Sequence, residues 1–76
     1  MQPKGTRELR LLGDAIRQER KRLDVSQEDF AEICDVHRTY ISQVERGVIN
    51  ISFDNIVRIA KGFKVKPSVM FDWAGL

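Results

Sequence analysis

Residues 26–47 read SQEDFAEICDVHRTYISQVERG, and the apolar spacing within them decides the fold. Phe30, Ala31, Ile33, Val36, Ile41 and Val44 recur at helical intervals, with one break near Asp35 and Val36. Two short helices meeting at a tight turn produce such a break. Arg38, Thr39, Ser42 and Gln43 fall on one side of the second helix, opposite Ile41 and Val44. Side chains of these types suit base edges and phosphates, so the expected role of the segment is to dock in DNA.

Working outward, Ser26 is a good N-cap, and Asp29 three residues later resembles a weak capping box. Glu28 and Asp29 complement the helix dipole, and the spacing predicts a helix over Gln27 to Cys34. Asp35 then occupies a turn that needs a left-handed backbone, which Asp tolerates better than most residues. The next helix is expected from His37 or Arg38 up to Gly47, which serves as its C-terminal glycine.

On the N-terminal side, Met1 to Thr6 holds Pro3 and Gly5 without periodicity. That reads as a flexible arm over residues 1–6, with Thr6 as the cap of a helix starting near Arg7. Leu9, Leu12, Ile16 and Leu23 share a stripe there, while Arg17, Gln18, Lys21 and Arg22 lie off it. On the C-terminal side, Ser52 caps a fourth helix whose Phe53, Ile56, Val57, Ile59, Ala60 and Phe63 are expected to face inward. Pro67 suits the first turn of a short fifth helix carrying Val69, Met70, Phe71 and Trp73. The fold class is all-α, with residues 7–76 as a single domain.

A chain of 76 residues has room for one modest core, which argues against an enzyme pocket built from several layers. With 42% hydrophobic and 32% charged residues it is expected to fold. The net charge is only +2, but Lys and Arg dominate Arg7 to Arg22 and Arg58 to Lys66, while acids crowd Glu28 to Asp35. Such a pattern fits nucleic acid and fits ordinary solvated helix faces equally, so charge alone decides nothing. Cys34 stands alone, which excludes an intramolecular disulfide, and no further Cys or His at ligand spacing suggests a metal. Cys34 is read as a small buried hydrophobe. With no signal peptide, membrane-spanning run or lipidation motif, the expected setting is soluble and intracellular.

These residues carry a family resemblance. Leu12-Gly13, Ile16-Arg17, Arg20, Ser26-Gln27, Phe30-Ala31, Val36, Tyr40-Ile41-Ser42, Val44-Glu45-Arg46-Gly47, Asn50 and Ile59-Ala60 resemble the Cro and phage-repressor type of helix-turn-helix domain, or Xre family, over about Leu9 to Phe71. The run from His37 to Ser42, with Glu45-Arg46 and Asn50, is most similar to the controller proteins of restriction-modification systems. The resemblance implies a compact five-helix, lambda-repressor-like fold that puts the third helix in the major groove and the second across the phosphates, usually as a two-fold dimer. It also implies a partly buried structural ion pair between Arg20 and Glu45. Three residues depart from the pattern: Asp35 where Gly is usual, His37 where Ser, Thr or Asp caps, and Ile49 at a loop position that is often basic.

Arg38 is the first choice for reading bases, since its planar fork can take guanine O6 and N7 together. Thr39 offers a methyl or a hydroxyl, Gln43 can pair with adenine, and Ser42 is counted with these base contacts although its short side chain is expected to reach only a phosphate. Gln27, Tyr40, Arg46, Asn50 and Ser52 are the candidate phosphate contacts, although Tyr40 reads equally well as core. His37 has no nucleophile or paired carboxylate beside it, so no catalytic residues are expected, and neither cofactor nor metal. Val65, Val69, Met70, Phe71 and Trp73 form an apolar cluster richer than a short helix needs, which marks a candidate dimer interface.

The function these features favour is a sequence-specific transcription regulator binding an inverted-repeat operator as a homodimer and blocking or recruiting RNA polymerase. A restriction-modification controller is the preferred form, acting in the cytoplasm at the bacterial nucleoid. The alternatives are a phage- or plasmid-type repressor and an antitoxin or protein-interaction module of the same fold.

Overall fold

Four side chains hold the otherwise unpaired N–H groups that open four helices. Thr6 Oγ1 accepts from Leu9 N, Ser26 Oγ from Asp29 N, His37 Nδ1 from Thr39 N, and Ser52 Oγ from Asn55 N, at 3.0–3.2 Å. They precede α1 (Arg7–Arg22), α2 (Gln27–Cys34), α3 (Arg38–Arg46) and α4 (Phe53–Phe63). Pro67 opens α5 (Pro67–Trp73), where its fixed φ suits the first turn. This computed structural model describes residues 6–76, and its regular elements are all helices. The expected arm over residues 1–6 therefore lies, apart from Thr6, outside the described residues.

The helix ends rely on left-handed residues. Asp35 closes α2 at φ 58°, as its place in the turn suggested, and Gly47 closes α3 at φ 70°. Asp24 and Lys64 adopt the same conformation at φ 58° and 61°. Those two carry a side-chain strain that the sequence did not announce. At Asp35 the guanidinium of Arg58, from α4, donates to both the main-chain oxygen and the carboxylate, at 2.9 and 3.2 Å.

One core unites all five helices. Leu12 and Ile16 from α1, Phe30, Ala31 and Cys34 from α2, Ile41 and Val44 from α3, Ile59, Ala60 and Phe63 from α4, and Met70 from α5 are buried together. Each large side chain so buried stabilises the fold by roughly 1.5–3 kcal/mol. Phe63 links its neighbours, lying 4.5 Å from the Phe30 ring and 5.3 Å from Trp73, the latter edge to face.

Three expected core positions are corrected. Ile33 is 57% exposed, because it lies roughly 100° around α2 from the arc of Phe30, Ala31 and Cys34. Phe53 is 75% exposed, since the first turn of α4 projects beyond the core. Leu23 is 44% exposed at the C-cap of α1, and Arg20 takes the last buried place on that stripe.

The helix α1 lies across the C-terminal end of α3 without side chains to separate the two. A Cβ on Gly13 would come within 2.8 Å of the Glu45 carbonyl oxygen and closer still to that of Val44. At Gly13 the two helices meet backbone against backbone.

Candidate nucleic-acid interface

The turn between α2 and α3 brings the start of one helix beside the outer face of the other. Gln27 is the first residue of α2, and it shares an open depression of about 210 Å³ with Arg38, Thr39 and Ser42 of α3. A second depression joins Gln43 and Arg46 to Val48 and Ile49 of the following loop. The four candidate base-reading residues lie in a strip along α3 divided between the two depressions, with Arg38 and Thr39 exposed and Ser42 and Gln43 half-buried. Ile41, Val44 and Glu45 are buried on the other side of the helix, so the strip cannot roll inward without opening the core.

Beneath the strip lies a buried ion pair. Arg20 Nε and Nη2 donate to Glu45 Oε2 and Oε1 at 2.6 and 3.0 Å, while Arg20 Nη1 donates to the Val25 carbonyl at 2.8 Å. The side chains are 9% and 1% exposed. Paired forks of this kind fix geometry as well as charge. The hydrogen bond to Glu45 raises the Arg20 pKa, against burial, which lowers it.

The candidate phosphate contacts stand in different situations. Gln27 donates its amide Nε2 to Glu45 Oε1 at 2.9 Å, a bond that sequence reasoning missed because 18 residues separate the partners. Arg46 and Asn50 are exposed, and Arg46 Nε reaches the Ser42 carbonyl at 3.4 Å. Ser52 uses an oxygen lone pair to cap α4, which leaves its hydroxyl proton available. Tyr40 packs its half-buried ring against the core, and its hydroxyl is buried without a hydrogen-bond partner among the described residues. It reaches a phosphate only if the ring turns outward.

His37 caps α3 through an unprotonated Nδ1, so the cap requires the tautomer whose proton is on Nε2. Cys34 is buried, with its thiol pushed up to about 12 by desolvation. No group of three or more His, Cys, Asp or Glu is placed to hold a metal among the described residues, and no helix is long and apolar enough to cross a membrane.

Of the C-terminal cluster, Met70 is fully buried and belongs to the core. It has no surface to offer a second chain. Val65, Val69, Phe71 and Trp73 remain half-buried.

Comparison with known proteins identifies the family. A family model described as helix-turn-helix matches residues 16–70. The chain belongs to the helix-turn-helix family. Within it, this helix-turn-helix protein is 47% identical over 70 residues to the control protein C.BamHI of Bacillus amyloliquefaciens, covering 90% of this chain and 86% of that one. It is 38% identical over 60 residues to the control protein C.MunI of a Mycoplasma species, covering 78% and 81%. Among solved structures, the restriction-modification controller protein C.AhdI from Aeromonas hydrophila superposes with a TM-score of 0.82 at 31% identity, covering 86% of this chain and 98% of its own. The Xre-type, controller-like resemblance carried by the sequence is the one these relatives display.

Proposed function

We propose that this protein is a DNA-binding transcription regulator that acts as the controller of a restriction-modification system. The observation that carries the reading is the meeting of Gln27 with Arg38, Thr39 and Ser42 on a helix face held from behind. In this reading α3 enters the major groove and α2 lies across the backbone. Arg38 takes a guanine through O6 and N7, Thr39 meets a thymine methyl, and Gln43 pairs with adenine one turn further along. Ser42 serves the nearest base edge. Gln27, Arg46, Asn50 and Ser52 hold phosphates and set the register, joined by Tyr40 when its ring turns out.

One domain covers few base pairs, so two copies related by a two-fold axis are required for selectivity. Their recognition helices then lie about 34 Å apart along one face of the duplex, and the operator is an inverted repeat. Val65, Val69, Phe71 and Trp73 form the contact between copies, with Met70 supporting them from the core. Bound at the nucleoid, the dimer blocks or recruits RNA polymerase according to where its operator lies. No catalytic step is assigned to the chain.

The experiment is selection of bound duplexes from a random pool. The expected product is a symmetric motif with half-sites one helical turn apart. Recovery of no enriched motif at low salt would overturn the proposal.

A further inference from the structure

Glu45 is the sole buried carboxylate among the described residues, and it accepts more than its ion pair requires. Arg20 already meets both oxygens, yet Oε1 also accepts from Gln27 Nε2 at 2.9 Å. An ionised carboxylate can only accept. If the Gln27 amide were turned over, its carbonyl oxygen would face Glu45 Oε1 where the Glu45 side chain is 1% exposed. Two acceptors meeting beside so buried a carboxylate repel. The charge on Glu45 therefore selects one of the two orientations of the Gln27 amide.

We propose that Glu45 is a positioning residue for the DNA interface, acting through Gln27. This rests on the proposed DNA role of the strip. With one amide hydrogen held by Glu45, the second N–H and the carbonyl oxygen of Gln27 are left for the depression shared with Arg38, Thr39 and Ser42. The remaining N–H is the donor a phosphate oxygen needs. Arg20, which holds the carboxylate in place, extends the same control back to α1.

The test is a double-mutant cycle in DNA affinity on the selected operator, using Gln27→Ala, Glu45→Gln and the pair, each at a temperature where circular dichroism shows it folded. Each single change is expected to weaken binding about tenfold, the scale of one hydrogen bond to a charged group. The pair should bind within about twofold of Gln27→Ala alone. If Glu45→Gln keeps its full effect in the Gln27→Ala background, Glu45 acts through the fold only and the proposal is overturned. Should Glu45→Gln fail to fold, the wild-type Gln27 side-chain amide is read by NMR. One protected hydrogen is expected, and exchange as fast as that of an exposed side-chain amide refutes the assignment. A wild type that selects no DNA overturns the functional reading instead, while the amide measurement still reports on Glu45.

Discussion

Gly13 and Val44 meet backbone to backbone, and a methyl group on Gly13 would overlap the Val44 carbonyl oxygen. Alanine at this position gains roughly 1 kcal/mol of helix propensity, but it must push α1 away from α3. The steric effect dominates because the obstacle is main chain. Gly13→Ala is expected to destabilise the fold by about 1–3 kcal/mol. Thermal or urea unfolding checks this, and a melting temperature at or above wild type contradicts it.

Base reading and phosphate binding separate by mutation. Arg38→Ala should relax preference at one position in each half-site at a cost of about 1–3 kcal/mol against the preferred base. Arg46→Ala should weaken binding to all sequences alike and lower the salt slope by about 1. Titrations on the operator and on single-base variants, at several salt concentrations, distinguish the two.

The hydroxyl of Tyr40 is buried and has no hydrogen-bond partner among the described residues, a condition that costs about 1–3 kcal/mol. Tyr40→Phe is therefore expected to raise the melting temperature. If the hydroxyl also serves a phosphate, the same variant binds the operator more weakly. More stability with less affinity is the signature to look for, and unchanged affinity removes Tyr40 from the interface.

Burial raises the Cys34 thiol from its ordinary 9.0 to about 12. The unfolded chain then ionises first as pH rises, so the stability tied to the neutral thiol is complete below pH 9 and declines toward pH 12. The loss is roughly 1.4 kcal/mol per unit within that window. Cys34→Ala lacks this component, so its stability deficit relative to wild type should shrink between pH 9 and 10. A constant difference across that range refutes the account.

Dimer formation is tested at the C-terminal helix. Val69→Lys places a charge on a half-buried position and leaves Met70 in the core, so it should yield a folded monomer with weakened operator binding. Sedimentation that finds the wild type monomeric at high micromolar concentration removes the dimer proposal.

Helix starts were legible because capping is local: Thr6, Ser26 and Ser52 each act within three residues. The strip on α3 was legible from periodicity, which places Ile41 and Val44 opposite Arg38 and Ser42. The apolar reading failed at Ile33, which lies off the buried arc of α2, and at Phe53, in the exposed first turn of α4. It also could not show that Lys64 bears a left-handed backbone, because that demand comes from how α4 must turn into α5. The bond from Gln27 to Glu45 was invisible for a related reason: it exists only once α1, α2 and α3 are assembled.

The crossing at Gly13 has a mechanical consequence. Where Gly13 meets Val44 and Glu45, no side chain lies between the main chains, so α3 cannot press closer to α1 there without a clash. In the proposed dimer, an operator whose halves are slightly out of phase would then be accommodated by twisting or bending the duplex, or by yielding at the contact between copies. Spacing tolerance therefore depends on the stiffness of the DNA and of the dimer joint, and changing which bases are read need not alter it.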